Sequence, residues 1–433
     1  MKQSLIEKYD IQAPRYTSYP PVPYWEKSPS EEEWFQDIEK TFLSKGRSAD
    51  IYIHIPFCRQ ICHYCGCNRI ASSNNDLMDK YVSTLLLEWE MYGKRLGDFS
   101  IASLHLGGGT PTWLKEELLD RLLQGISSAQ FSGSVEVDPR VTSKNHLKIL
   151  YKKGLRRLSM GIQDFHPEVQ KKIGRIQELE TVKNLVLEVR EIGFEELNFD
   201  LIFGLPSQTE ESLTWTFNQV AKLRPDTIAF YSFAYVPHFA KNQSNIDLAD
   251  VPQGSEKRKL YELGRELLFK NGYIEIGMDH FSLPSSSLAK ALREKKLTRS
   301  FMGYTVRKAP VLIGLGCSSI SSSSLSFIQN EKDISKYSEA IHQGHLSIFK
   351  GHKQTDEDLE TEKIIQDIMC LGEANIPCSK LIGLDDFLTD QLIQLKGEML
   401  VVTEEGRPFL RNIAYAFDHR AHKNSRTGFS RTI

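Results

Sequence analysis

Nowhere in the 433 residues do some 18 apolar positions follow one another, so no membrane-spanning helix is expected. Neither sign of charge is in excess: 54 Lys and Arg stand against 56 Asp and Glu, a formal charge of −2. That balance excludes a nucleic-acid binder relying on bulk positive charge, leaving at most a local patch. No apolar core follows Met1, since Glu7, Lys8 and Asp10 come at once, so no secretory leader and a cytoplasmic location are expected. There is no internal repeat. Cysteine is scarce, at seven, and the number is odd, unlike the even, spread set of a secreted disulfide framework. What is present is ordinary globular material, 40% hydrophobic and 25% charged, long enough for two or three domains.

Residues 1–45 are dense in Tyr and Pro, as in Pro14-Arg15-Tyr16-Thr17-Ser18-Tyr19-Pro20, and read as an ordered arm covering the active site. From Asp50 onward short β-branched runs alternate with helical patterns, the sign of parallel βα units. Strands are predicted at 51–55, 101–106, 134–137, 157–161, 196–203 and 227–233, with a late one at 273–277. Helices are predicted at 76–96, 115–124, 145–153, 178–192, 210–223 and 255–270. The fold class is therefore α/β, a partial (β/α)6 barrel occupying 46–345, whose chemistry belongs after the C-terminal ends of its strands. Gly314-Leu315-Gly316 reads as a turn before a serine-rich stretch. A mainly α-helical C-terminal domain, 346–433, is predicted from helices at 355–372 and 380–394, a hairpin-like piece at 399–403 and a last helix from about Pro408.

Four of the seven cysteines, Cys58, Cys62, Cys65 and Cys67, crowd into ten residues just after the first strand. A structural zinc site with four thiolates has two CxxC pairs a dozen or more residues apart, and no second pair exists here. A four-cysteine ferredoxin site would have to use Cys67, cramped against Cys65. The remaining reading is a [4Fe–4S] cluster held by Cys58, Cys62 and Cys65 with one open iron, which the amino-carboxylate end of S-adenosyl-L-methionine (SAM) suits. This is the arrangement of a radical SAM fold; a zinc protein stays as an alternative. Gly107-Gly108-Gly109-Thr110-Pro111-Thr112 follows the second strand, where glycines let backbone amides approach a ligand. Glu136, Gln163 and Asp200 fall at later strand ends, as ligand contacts or as simple strand-end caps.

The run from Tyr52 to Asn68 resembles the cluster loop of bacterial oxygen-independent coproporphyrinogen III oxidases. So do 14–20, 107–112, Glu136-Val137-Asp138-Pro139-Arg140, 160–165, 200–206, 277–281, 303–305 and Arg411-Asn412-Ile413, so the resemblance runs nearly end to end. It implies an oxidoreductase of porphyrin and heme biosynthesis that converts two propionates of coproporphyrinogen III to vinyl groups without oxygen, through a 5′-deoxyadenosyl radical. It further implies a [4Fe–4S] cluster on Cys58, Cys62 and Cys65, and a SAM held by Tyr52, Gly108, Glu136 and Ile320. A second SAM would meet Tyr64, Gly109, Thr110, Gln163, Arg175, Asp200 and Ala234, with Cys67 close by and not an iron ligand. An electron donor such as flavodoxin is implied; a monomer is the default expectation. No catalytic residue is assigned.

A substrate with four carboxylates needs cations around it; Arg15 is one candidate, while the basic tail from His419 to Arg431 reads as solvated. Ser300-Phe301-Met302 departs from the family's Asn-Phe-Gln, putting an apolar thioether where a polar side chain is expected near the second SAM. Met369-Cys370-Leu371-Gly372 likewise replaces a Cys-Asn-Phe run. The alternatives are a heme carrier of the same superfamily, whose members generally lack the Cys67 equivalent and the 14–20 arm, or another radical SAM tetrapyrrole enzyme.

Overall fold

The structure, a computed structural model, describes residues 3–126, 131–306, 308–381, 383–423 and 429–432. It divides into two compact units: Glu26–Pro252 with Ala309–Gln354, and the rest of the described chain. Among the described residues no helix is long and apolar enough to cross a membrane.

The first unit is built on one sheet. Its strands are β1 (Ser48–Ile55), β2 (Ser100–Gly108), β3 (Gly133–Val137), β4 (Leu155–Gln163), β5 (Glu196–Phe203), β6 (Thr227–Ser232), β7 (Val311–Leu315), β8 (Ile320–Ser322), β9 (Ser326–Asn330) and β10 (Ile348–Lys353). Within the unit they lie in the order β10-β9-β8-β7-β1-β2-β3-β4-β5-β6. From β7 through β6 neighbours are parallel, while β8, β9 and β10 extend the other edge antiparallel. Six strands and their intervening helices thus follow the expected βα order. Ile51, Ile53 and Ile55, on one face of β1, are wholly buried, and Asp50 and His54 on the opposite face are buried too, as a parallel strand covered on both faces requires. The helices begin where side chains take up orphan amides: Ser30 with Glu33 forms a capping box, and Asn74 accepts from Asp76 N and Leu77 N.

One strand departs from expectation. Gly314 and Leu315 belong to β7, pairing with Tyr52 and Ile53 of β1, and are not a turn. A Cβ on Gly314 would lie 2.5 Å from the Ile320 carbonyl, so only glycine lets the chain double back this tightly. The serine-rich stretch serves that return: Ser321 Oγ accepts from Gly314 N at 2.9 Å and Ser319 Oγ donates to Gly316 O at 2.7 Å.

In the second unit the arm's Tyr9, Tyr16 and Tyr19 pack with Ile364, Ile368, Phe409 and Ile413. The late strand is Ile274–Gly277, paired antiparallel with His280–Ser282. The helix expected over 380–394 is not formed. A short helix, Asp385–Thr389, gives way to a strand, Ile393–Lys396, which pairs with Met399–Val402, itself flanked by Glu373–Asn375. Gly397 at φ 64° makes the turn, and Leu395 pairs with Leu400 across the hairpin. Of the tail, 424–428 lie outside the described residues. Arg420 is not solvated: it bonds the fully buried Asp358 at 2.6 and 2.9 Å. Arg15 is ion-paired with Asp279. Tyr304 OH, in the hairpin after Met302, donates to Met369 O at 2.7 Å, and Cys370 lies buried in the core.

Candidate active site

β1 delivers the cysteine loop. A two-residue parallel ladder, Phe57–Cys58 against Ile70–Ala71, closes the loop at its base. Each thiol then has its own surroundings. Cys58 Sγ accepts from Thr110 Oγ1 at 3.4 Å, and burial pushes the thiol up to about 11. Cys62, 6% exposed, receives two guanidinium N–H groups, from Arg140 Nη2 and Arg175 Nη1, each at 3.7 Å. The Cys65 thiol is lowered, first by the bond from Cys67, whose own thiol is correspondingly raised. Asp138 fixes both arginines, accepting from Arg140 Nη2 at 2.6 Å and Arg175 Nη1 at 3.0 Å. Burial opposes its charge, yet the Arg175 and Arg140 cations hold its carboxyl below the ordinary range.

The three glycines that close β2, Gly107 to Gly109, are demanded by close approach. Gly108 has φ 113°, and a Cβ there would sit 2.6 Å from the His54 ring. A Cβ on Gly109 would lie 2.9 Å from the Phe57 carbonyl oxygen. Gly108 N donates to Glu136 Oε2 at 3.1 Å, and His105 Nε2 stands 3.3 Å from Glu136 Oε1. Burial disfavours the Glu136 charge, but the His105 and Gly108 bonds outweigh it and lower the carboxyl. The Glu136 side chain nevertheless stays 44% exposed. On β1, Tyr52 stacks on His105, with ring centroids 5.8 Å apart. His54 Nε2 lies 2.8 Å from the Asn68 carbonyl, which can only accept, so Nε2 carries the proton and Nδ1 accepts from Tyr52 OH at 3.0 Å.

The remaining expected contacts gather on the same unit. Gln163 ends β4 in the left-handed region, φ 68°, an unusual backbone for a non-glycine residue. Arg175 Nη2 donates to Gly161 O at 2.6 Å, while its buried Nε has no hydrogen-bond partner. Asp200 accepts from Ser159 Oγ and Asn198 Nδ2, both at 2.9 Å, and burial, aided by the Glu136 charge, raises it to about 6. Tyr64 packs beside Val169, Ile173 and Phe233. Ile320 opens β8, Cys67 is exposed, and the Ala234 carbonyl is held by Gln243.

Several residues here escaped sequence reasoning. His54 and His105 lie at alternate positions on strands that were read correctly, so strand periodicity could have found them. Asn242, Gln243 and Arg69 bind the loop's backbone, and no sequence signal points to them.

Among the described residues no three His, Cys, Asp or Glu side chains are gathered for a single metal ion. The donor chemistry fits an iron–sulfur cluster: three thiols share one loop, with cationic N–H groups directed at sulfur. The unsatisfied Nε of Arg175 and the close-approach glycines fit an anionic ligand beside it.

A loop of this kind after the first strand of a parallel βα sheet defines a radical SAM protein, and the model of the Radical SAM superfamily matches residues 52–220. Coproporphyrinogen III oxidase, anaerobic 1, of Cereibacter sphaeroides is 36% identical over 95% of this chain and 94% of its own. Oxygen-independent coproporphyrinogen III oxidase of Escherichia coli K12 is 34% identical over 99% and 98%. The solved structure of coproporphyrinogen III oxidase (HemN) from Escherichia coli, described as a radical SAM enzyme, superposes with a TM-score of 0.91 at 32% identity, covering 96% of this chain and 98% of that one. The chain belongs to the oxygen-independent coproporphyrinogen III oxidase family.

Proposed function

We propose that this chain oxidatively decarboxylates two propionates of coproporphyrinogen III to vinyl groups, yielding protoporphyrinogen IX for heme biosynthesis without oxygen. The supporting observation is family membership over nearly the whole chain, combined with the three-cysteine loop and its cationic N–H···S partners.

Cys58, Cys62 and Cys65 would hold a [4Fe–4S] cluster, and Tyr52, Gly108, Glu136 and Ile320 the SAM upon it. Tyr64, Gly109, Thr110, Gln163, Arg175, Asp200 and Ala234 would hold a second SAM, near Cys67. Bound there, cluster and SAM supply one-electron cleavage of a sulfonium and a carbon radical able to take hydrogen from a propionate. The chain's own contribution is binding and orientation. Glu136, ionised and half-exposed, offers an acceptor to an amine or hydroxyl; the Gly107–Gly109 backbone permits close approach; Arg140 and Arg175 offset negative charge at Cys62. A flavodoxin-type electron donor, a cytoplasmic location and a monomeric state belong to the same reading.

The test is an anaerobic assay of the reconstituted chain with coproporphyrinogen III, SAM, reductant and an electron acceptor, products followed by mass. Loss of two CO2 units with 5′-deoxyadenosine formation, absent in Cys62→Ala, is the expected result. SAM cleavage without decarboxylation would remove the substrate assignment.

A further inference from the structure

Three residues outside the cysteine loop, two of them after β6, hold its backbone. Asn242 lies in the short 3-10 turn Lys241–Asn245. Its side-chain Nδ2 faces three carbonyls of the loop: Cys62 O at 2.9 Å, His63 O at 2.9 Å and Cys65 O at 3.0 Å. Its Oδ1 accepts from the Arg69 guanidinium, which also donates to Cys65 O and Cys67 O, each at 2.6 Å. Gln243, 1% exposed, adds bonds to Tyr64 O at 2.8 Å and Ala234 O at 3.1 Å. Together the three side chains engage the carbonyls of residues 62, 63, 64, 65 and 67.

The chemistry requires an amide at position 242. Only a group with two N–H donors and an opposed acceptor can serve the carbonyls and Arg69 at once. Carbonyl oxygens repel an anionic, thiolate-bound cluster, and drawing five of them onto N–H donors removes that repulsion and fixes the loop's path before metal arrives.

We propose that Asn242, oriented by Arg69, is a positioning residue for the iron–sulfur cluster, an inference that rests on the reading of Cys58, Cys62 and Cys65 as its ligands. It acts through the loop backbone and touches no reacting atom.

The experiment compares the full chain with Asn242→Asp, which keeps the size but exchanges donor for acceptor, and with Asn242→Ala. Each is reconstituted anaerobically with ferrous iron and sulfide. Iron release to a chelator and the electron paramagnetic resonance signal of the reduced cluster, with and without SAM, are then recorded. Both variants are expected to keep the apo protein's circular dichroism, to release iron about tenfold faster, and to change the resonance signal. Wild-type release and an unchanged signal in both would overturn the proposal. Should a variant fail to fold, amide hydrogen exchange on the wild-type apo chain decides: slow exchange across 58–68 supports a preformed loop, and exchange as fast as an unstructured segment overturns it. Cys62→Ala separates the two claims. If that variant holds iron as the wild type does, the ligand assignment itself falls and this inference with it.

Discussion

The backbone N–H of Gly108 donates to Glu136 Oε2 at 3.1 Å, tying the end of β2 to the next strand, β3. That bond leaves the carboxylate half-exposed and pressed against the glycine run, since a Cβ on Gly107 would meet all three carboxyl atoms of Glu136 at 3.0 Å. The expected SAM site is therefore shaped by backbone, and side chains added there act on it directly.

Gly108→Ala tests this. Alanine at φ 113° costs about 1–2 kcal/mol of backbone strain, and its methyl would overlap the His54 ring. Equilibrium dialysis should show SAM affinity falling at least about tenfold, with cluster iron retained. Unchanged affinity would remove the glycine run from the SAM site.

Glu88 predicts a pH dependence. It is fully buried, accepting from Tyr337 OH at 2.7 Å, Gly316 N at 2.8 Å and Asn330 Nδ2 at 2.7 Å. Burial raises its carboxyl to about 7 despite those bonds. The folded value exceeds the unfolded one, so its contribution to stability is complete below about 4.5 and is lost as pH rises through about 7. The loss is at most about 3 kcal/mol. Glu88→Gln removes it, so urea unfolding at pH 5 and 7.5 should show the stability gap between wild type and variant shrinking with pH.

Arg140 should tune the proposed cluster. Its guanidinium lies 3.7 Å from Cys62 Sγ and favours the reduced, more negative state. Arg140→Gln should lower the midpoint potential by on the order of tens of mV, read by a resonance-monitored redox titration. An unaltered potential would make the contact irrelevant to electron uptake.

Tyr16 tests the arm's attachment. Its hydroxyl donates to Asp418 Oδ2 at 2.9 Å, and that carboxylate is fully buried. Tyr16→Phe leaves it short of a donor and should cost about 1–3 kcal/mol in urea unfolding, with iron content after reconstitution unchanged.

Legibility followed sequence distance. The six βα strands were readable because short runs of β-branched and aromatic residues, as at 51–55 and 227–233, alternate with helical patterns. β7 was not: Gly314 and Gly316 imitate a turn, and only pairing with the remote β1 makes 311–315 a strand. The helix expected over 380–394 ran into Ile393 and Gln394, which belong to a strand only because Met399–Val402 offers that segment a ladder. Arg15, read as a cation for substrate, meets Asp279 from 264 positions away.

The sequence by itself determined the cysteine loop, the glycine run and the βα order, because each depends on spacings of a few residues that local geometry converts directly into shape. Tertiary structure alone decided which groups serve them. Asn242 reaches Cys62 O across 180 positions, and Arg175 reaches Cys62 Sγ across 113. Contacts of that range arise from the return path of the chain over the sheet, and no local pattern of residues encodes where that path brings a side chain.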